Sequence, residues 1–467
     1  MSDDQDGDRR NLVSGPVWRN LLRLAGPMLF GIAAVISVQL VDTYFVGRLG
    51  TLPLAALSFS FPVVLTLTSL SIGLAAGAAS VVSRALGQGR RGRARRLGTD
   101  ALLLAATVVA GLIGVGLIVL EPLFRLLGAE GDVLSMALAY MRLWFPSLLF
   151  LVIPMVANAM VRAAGDAFWP SFIMIASSVI NAGATPLLVF GAGPVPAMGI
   201  EGAALGTLVA RIAALAMALY LVAGRDRLVR LRWPGARAFA GSARRVLAIG
   251  LPAAVGNASN QASVAVATAL IAALGAGTVA GFGVATRLEA FSILPMLALS
   301  SAIGPVVGQN WGAGRPDRVI RALKLAFALC AAWSLVLSAV FFAFGRRIAG
   351  LFALEPGVAD EAARYLHIVP ASLWGYGVSI VAAGAFNALG KPLSALGYSL
   401  TRTLVFYVPA VSIASRVDGS TTVYAAIAGA NIAAGFCIAV HAVGALRGRL
   451  GTGGDAVRPG PSAPTSG

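Results

Sequence analysis

Residues 24–50 read LAGPMLFGIAAVISVQLVDTYFVGRLG, a stretch long enough to cross a lipid bilayer, with one acid, Asp42, inside it. A bilayer core of about 30 Å needs roughly 20 apolar residues in a helix. The 467-residue chain is 58% hydrophobic and only 12% charged, whereas soluble domains average about 25% charged residues. Because an open backbone in lipid must satisfy its hydrogen bonds within one helix, the sequence predicts an all-α membrane protein.

Apolar runs like this one recur along almost the whole chain and predict twelve transmembrane helices. They are expected at 17–47, 53–83, 97–120, 133–161, 169–190, 198–223, 244–273, 278–307, 318–344, 358–388, 392–413 and 422–446.

The opening stretch has a counterpart 225 residues later. At that shift Pro27 aligns with Pro252, and the loop GQGRRGRARR at 87–96 aligns with GAGRPDRVIR at 312–321. Loops are polar and free of the constraint that lipid imposes, so this match indicates duplication and not chance similarity between apolar segments. Six helices per half give both halves the same orientation, which predicts two pseudo-symmetric six-helix bundles around a central cleft.

The repeat divides the chain into five parts. They are a polar N-terminus (1–16), an N-lobe (17–223), a basic linker (224–243), a C-lobe (244–446) and a tail rich in Gly, Pro and Ser that is expected to be disordered (447–467).

The net charge of +17 sets topology and does not indicate a nucleic-acid partner. With the N-terminus placed inside, the inner segments hold 26 Lys and Arg residues and the outer segments hold seven. The excess predicts that both termini are cytoplasmic. We therefore expect a multi-pass protein of the cell (inner) membrane, acting as a monomer in the lipid bilayer.

Several classes of function lack their motif in this sequence. No GxxxxGK[ST] loop, no HExxH and no cluster of paired carboxylates is present, and the two cysteines and two histidines lie far apart. The sequence therefore predicts no enzyme activity, cofactor or metal. Uphill transport would then have to draw on an ion gradient or on a partner protein.

Asp42 is the main candidate for ion coupling. It lies about five residues from the outer end of the first helix, roughly 7–8 Å deep, and Gln39 is on the same helix face. Partial desolvation favours the neutral acid, so Asp42 is expected to bind and release a proton. The alternative is an Asp near the interface that simply faces water.

The fifth helix carries a polar stripe of Ser178, Asn181 and Thr185, and Thr185 is expected at the depth of Asp42. These side chains could support the carboxylate, or they could hold helices together as structural hydrogen bonds. Pro27 is expected to bend the first helix, and we hypothesise that this bend changes with protonation of Asp42.

The C-lobe has a different set of polar residues, which are candidates to line the cavity. They are Asn257, Asn260, Gln261 and Thr268 in the seventh helix, with Arg287, Glu289 and Arg402 further on. The position that matches Asp42 is Ala267. Arg402 could pair with Glu289, either in a structural contact, which we favour, or as a second coupling site. Arg211 in the N-lobe has no evident partner.

Several segments resemble the multidrug and toxic compound extrusion family. They are residues 24–62, NAMVRAAGDAFWP, GIEGAALGTLVAR, GPVVGQNWGAGRPDRV and FNALGKP, and the likeness covers residues 17–446. The sequence is similar to the branch that includes the DNA-damage-inducible F proteins. The resemblance implies export of amphipathic, often cationic compounds against inward proton or sodium flow.

Within that family, the first-helix carboxylate corresponds to Asp42 and the fifth-helix asparagine to Asn181. Many relatives have an aspartate where this chain has Thr185, and one carboxylate with neutral oxygens holds a hard cation less tightly. We therefore favour protons over sodium. The alternative is a flippase for a lipid-linked or amphipathic metabolite, because such proteins tend to have a cationic cavity and Arg211, Arg287 and Arg402 could supply one.

Overall fold

The apolar segments are helical in the computed structural model, which describes residues 11–191, 193–229, 235–352, 355–417 and 419–451. The first six spans form the N-lobe. They are α1 (Val17–Gly47), α2 (Thr51–Gly87), α3 (Arg91–Leu126), α4 (Gly131–Ala163), α5 (Phe168–Phe190) and α6 (Gly199–Leu219), the last continued by the π-helical turn Tyr220–Arg225.

The other six spans form the C-lobe, and three of them are interrupted. They are α7 (Ala236–Ala272), α8 (Ala276–Ser292 and Leu294–Gly312), α9 (Pro316–Gly350), α10 (Pro356–Ile368, Pro370–Ser372 and Leu373–Ala388), α11 (Pro392–Leu400, Thr401–Tyr407 and Val408–Ala414) and α12 (Ser420–Gly451).

Length and apolarity support the expected number of spans. Within the described ranges, ten helices are long and apolar enough to cross a membrane, and the two segments of α8, bent by 42°, make an eleventh. The predicted span 392–413 coincides with α11, in which the π-helical turn Thr401–Tyr407 separates two short α-helices. The fold is therefore the expected all-helical bundle of two lobes.

Several helices extend into segments that the sequence presented as loops. α3 begins at Arg91 and not near 97, α7 begins at Ala236 and not at 244, and α12 continues to Gly451. Arginine is a good helix former, so a basic flank can continue a helix beyond its apolar run. Residues 1–10, 230–234 and 452–467, which belong to the predicted N-terminus, linker and tail, lie outside the described residues.

The backbone repeats at the 225-residue shift. Gly50 and Gly275 have φ angles of 119° and 114°, and Gly89 and Gly314 have φ angles of 71° and 70°. Positive φ is costly for other residues, and glycine commonly ends helices in this way. The turns that end α2 and α8 therefore have the same conformation, as a duplicated unit requires.

The lobes contact each other near one face of the molecule. This face carries residues 11–16 and the loops around 87–91 and 312–316, and we name it the terminal face. A Cβ at Gly73 or Gly77 of α2 would overlap the backbone of Gly250 or Val246 in α7. Small residues thus allow the two helices to pack closely across the lobe boundary.

A short segment before α1 joins both lobes at the terminal face. Leu12 is fully buried, its amide donates to Gln309 Oε1 at 3.2 Å, and its carbonyl accepts from Asn310 Nδ2 at 3.0 Å. Gln309 Nε2 in turn donates to the carbonyl of Ala163 in the N-lobe at 2.7 Å. Arg318 donates to the carbonyl of Gly15 at 2.8 Å. The contacts of residues 11–16 hold the terminal face closed.

Away from that face, the inner walls of the lobes are exposed. Gln39 in α1 and Gln261 in α7 are both exposed although they lie inside membrane-spanning helices. Polar side chains at membrane depth face protein or water and avoid lipid. The exposed glutamines therefore indicate a gap between the lobes that opens toward the face opposite the termini.

Candidate coupling site

Asp42 lies in α1 five residues before the helix ends at Gly47, and it is half-buried. The hydroxyl of Thr185, from α5, donates to Asp42 Oδ1 at 3.0 Å. Asn181 Oδ1 lies 3.3 Å from the same hydroxyl. The structure thus brings together Asp42, Asn181 and Thr185 from two helices.

α5 packs tightly on α6, and this packing sets the position of the α5 side chains. A Cβ at Gly206 would overlap Thr185, and one at Gly202 would overlap the backbone of Leu188. Thr207, which follows Gly206, accepts from Asn181 Nδ2 at 3.3 Å. The small residues of α6 therefore allow close packing of α5, whose polar stripe lies toward α1. Thr207 fixes the orientation of the Asn181 amide.

Gln39 and Ser178 lie close in sequence to this site but do not bond to Asp42. Gln39 is exposed, and only its backbone carbonyl is used, as acceptor for Thr43 at 2.9 Å. Ser178 is buried on α5, one turn before Asn181. The supporting role predicted for these two residues stays a prediction.

Arg211 of α6 has partners that the sequence did not reveal. Its guanidinium bonds to the hydroxyl of Ser147 and lies 4.9 Å from the ring centroid of Trp144. It is also within electrostatic range of Asp42 and Tyr140. The positive charge of Arg211 therefore acts on the Asp42 carboxylate through space.

The C-lobe centres on a buried cation. Arg402 is 6% exposed, and it donates to Asn431 Oδ1 at 3.2 Å and to Asn260 Oδ1 at 3.3 Å. Its guanidinium lies over the rings of Tyr376 and Tyr407, at 4.7 and 5.4 Å from their centroids. Arg402 thus links α7, α10, α11 and α12.

Glu289 does not form the salt bridge with Arg402 that the sequence suggested. It accepts a hydrogen bond from the hydroxyl of Tyr365, and the Arg402 charge acts on it only from a distance. The expectation was wrong because depth places both residues near the bilayer middle but does not reveal that Asn260 and Asn431 reach Arg402 first. Of the other α7 candidates, Asn257 bonds to its own helix at Ala253.

Arg287 is exposed on α8, on the side opposite buried Ala285. Polar and charged side chains at membrane depth avoid lipid, so the exposure of Arg287 is consistent with its predicted place on the wall of the gap. About 11 residues separate it from the start of α8, which places it roughly 17 Å from that end.

Pro27 lies inside α1, which continues as one helix from Val17 to Gly47. The role of a bend at this residue stays a prediction.

The MatE family profile matches residues 27–187 and again residues 252–413, one match in each lobe. The chain belongs to the MatE family. The two matches start at Pro27 and Pro252, the residues that the internal repeat aligns.

Relatives of this MatE protein include named transporters. It is 36% identical to a protein of Shewanella oneidensis named "FAD transporter", over 88% of this chain and 91% of that one. It is 25% identical to the multidrug export protein MepA of Staphylococcus aureus, over 87% of this chain and 89% of MepA. Like these relatives, this MatE protein is a membrane transporter and not an enzyme.

A solved structure has the same fold. The crystal structure of the Vibrio cholerae MATE transporter VcmN in the bent form superposes with a TM-score of 0.86 at 28% identity, covering 92% of this chain and 97% of that one. The resemblance to the multidrug and toxic compound extrusion family is therefore confirmed, together with the two-lobed helical fold.

Sequence reasoning missed several residues around this candidate coupling site. Thr207, Ser147 and Trp144 contact the predicted residues through side chains on other helices. The GAALGT run at 202–207 gave one signal, because paired glycines one turn apart mark a close helix crossing and Thr207 follows directly. Nothing in the sequence indicated Ser147 or Trp144.

Proposed function

We propose that this transporter is a secondary active antiporter that exports amphipathic, cationic compounds in exchange for protons, with Asp42 as the proton carrier. The observation that supports this most strongly is a half-buried carboxylate at the wall of the gap, bonded to Thr185 at 3.0 Å. An ionisable group at this depth is costly and is retained where it has a function.

The hydroxyl of Thr185 can change its hydrogen-bonding role when the charge of Asp42 changes. A hydroxyl has one hydrogen and can also accept. When Asp42 is ionised, Thr185 donates to it. When Asp42 carries a proton, the acid can donate to Thr185, whose own hydrogen turns to Asn181 Oδ1, 3.3 Å away. Protonation would thus rearrange the contacts between α1 and α5.

The same geometry favours protons over sodium. A hard cation takes several oxygen ligands, usually with more than one carboxylate or carbonyl among them. Asp42 is the single carboxylate in this group, and the hydroxyl hydrogen of Thr185 already occupies one of its lone pairs. If the proton is the coupling ion, substrate and proton would compete for the Asp42 carboxylate. Such competition is the simplest basis for exchanging one for the other.

We further propose that the terminal face is cytoplasmic and that the protein resides in the cell (inner) membrane, with protons or sodium ions, small molecules and lipid as its only partners. The loop charges support this orientation. With the terminal face closed, the gap faces outward, and rocking of the lobes about the α2–α7 contact would open the other side.

The test is transport into proteoliposomes with a pH gradient and a sodium gradient imposed separately. The wild type should accumulate a fluorescent cation with the pH gradient alone. Asp42→Asn should abolish that accumulation, and Thr43→Val, an exposed neighbour, should leave it unchanged. Accumulation driven by sodium alone, or an unaffected Asp42→Asn variant, would overturn the proposal.

A second candidate is export of an anionic amphipathic molecule, such as flavin adenine dinucleotide or a lipid-linked metabolite. Arg287 presents a cation to the gap, and a relative at 36% identity is named FAD transporter. Arginine binds phosphate groups through paired donors. Arg402 is engaged by Asn260 and Asn431, so Arg287 is the cation that could meet such a substrate.

Arg287→Gln separates the two candidates. If the substrate is anionic, uptake of flavin adenine dinucleotide should fall at least tenfold, roughly the loss of one charged hydrogen bond, while Arg416→Gln at the outer end leaves it unchanged. If the substrate is cationic, Arg287→Gln should not lower uptake of the fluorescent cation, and the flavin should not be transported at all.

A further inference from the structure

Four residues at the terminal face line an open recess that the proposed transport cycle does not use. Gly92, Arg93 and Arg96 come from the start of α3, and Arg245 comes from α7. The recess has a volume of about 430 Å³. Three of its four lining residues are therefore arginines, and they come from both lobes.

More positive charge lies around the recess. Arg93 is within electrostatic range of Arg90, Arg96 and Arg245, and Arg84 is within range of Arg93 and Arg245. No carboxylate is among the residues that line it. Like charges that converge in this way repel one another, and an anion bound between them would relieve the repulsion.

The positive-inside rule alone does not require this convergence. Arg91 and Arg95 lie on the same turn of α3 and satisfy the rule equally, yet they do not line the recess. A topological signal needs charge on a loop, whereas three arginines from two lobes line this one recess. A Cβ at Gly92 would meet nothing within 4 Å, so this wall is open.

The depth of the recess matches the lipid headgroups. Arg245 precedes the end of α7 at Ala272 by 27 residues, which corresponds to about 40 Å along the helix. A bilayer measures roughly 40–45 Å including its headgroups. If α7 crosses the bilayer from one surface to the other, Arg245 is expected at the level of the headgroups in the leaflet at the terminal face.

We propose that this recess binds the phosphate of an anionic membrane lipid. Guanidinium groups pair with phosphate oxygens through two parallel hydrogen bonds, and basic pockets at membrane-facing helix ends bind anionic headgroups. The recess is open at Gly92, so a phosphate that is still joined to its glycerol and acyl chains could enter it.

The lipid would also act on the transport cycle. Arg93 and Arg96 belong to the N-lobe and Arg245 to the C-lobe, so the complete recess exists only when the lobes meet at the terminal face. A ligand that binds one conformation better shifts the protein toward it. Anionic lipid would therefore favour the conformation with the terminal face closed.

The experiment uses the full-length protein in a neutral detergent, titrated with phosphatidylglycerol, phosphatidylcholine or inorganic phosphate, with binding followed by native mass spectrometry. The wild type should bind phosphatidylglycerol at least tenfold more tightly than phosphatidylcholine. Arg93→Gln/Arg245→Gln should lose that preference. The control variant Arg91→Gln/Arg95→Gln loses the same charge at the terminal face but outside the recess, and it should keep the preference for phosphatidylglycerol.

Three results would overturn the site. An equal loss in both double variants would mean that only net charge matters. An unchanged preference in Arg93→Gln/Arg245→Gln would place the lipid elsewhere. Displacement of the lipid by inorganic phosphate at equal concentration would make the recess a free-anion site. The single variant Arg93→Gln, which changes an exposed side chain, serves if the double variant fails to fold, and it should weaken phosphatidylglycerol binding several-fold.

Discussion

The two lobes repeat the same turns but differ in the ionisable residues at matching positions. The N-lobe presents the carboxylate of Asp42 at the wall of the gap, bonded to Thr185 and within electrostatic range of Arg211. At the repeat-related position the C-lobe has Ala267, which is fully buried, and its central ion is the guanidinium of Arg402 under two tyrosines. Duplication has therefore preserved the turns and the helix order, while the chemistry diverged.

This difference indicates a division of work between the lobes. A half-buried acid next to water can exchange a proton, whereas a buried cation that links four helices is suited to hold a lobe together. Moving charge to the other lobe, or removing it from one lobe at a time, would test that division.

The largest effect is expected when the acid is moved. In Asp42→Ala/Ala267→Asp the new carboxylate lies in a sealed position without the equivalents of Thr185 and Asn181. Proton-driven uptake into proteoliposomes should be at least about 100-fold below the wild type, as in Asp42→Ala alone, since an unpartnered buried acid is both costly and inaccessible. Recovery of uptake in the double variant would show that the lobes are chemically interchangeable.

A smaller effect is expected on stability when the arginines are removed. Arg402→Leu leaves the amide oxygens of Asn260 and Asn431 without their donor, which should lower the free energy of unfolding by about 2–3 kcal/mol. Arg211→Leu removes the bond to Ser147, whose hydroxyl still bonds to the carbonyl of Trp144, and the contact with the Trp144 ring. Because neither partner is left as an unpaired buried polar group, the change should cost about 1 kcal/mol. Unfolding in detergent measures both, and equal losses would contradict the proposed difference between the lobes.

The smallest effect is expected at Thr185. Thr185→Val removes the donor to Asp42 but keeps the shape of the side chain, and a hydrogen bond to a charged group contributes about 1.5 kcal/mol, or roughly a tenfold change. Proton-driven uptake should fall five- to tenfold. Thr43→Val is the control, because its hydroxyl bonds only to the carbonyl of Gln39. Equal behaviour of the two variants would remove Thr185 from the site.

The fold was predictable because its signals lie in single segments or in one shift of the chain. Apolar length indicated the spans, and the loop match between 87–96 and 312–321 indicated the duplication. Depth placed Asp42 and Thr185 at the same level, since a helix rises by 1.5 Å per residue, and the structure shows that their side chains bond. Each of these inferences needed only one periodic or geometric rule.

The missed contacts depend on side chains that are distant in sequence. Tyr365 reaches Glu289 across 76 positions, and Leu12 reaches Gln309 across 297. No periodic pattern links such residues, so depth could suggest that Arg402 and Glu289 were neighbours but not that other partners would satisfy them first. The helical flanks at 91–96 and 236–243 were missed because hydropathy marks the bilayer and not the end of a helix.

The most direct measurement of the central claim counts protons in the absence of any gradient. Purified protein in weakly buffered detergent solution, with a pH indicator, is mixed with a transported substrate. If substrate and proton exclude each other at Asp42, the wild type should release about one proton per substrate bound, and Asp42→Asn should bind substrate and release none. Release of the same number of protons by Asp42→Asn would show that the exchanged proton is carried elsewhere.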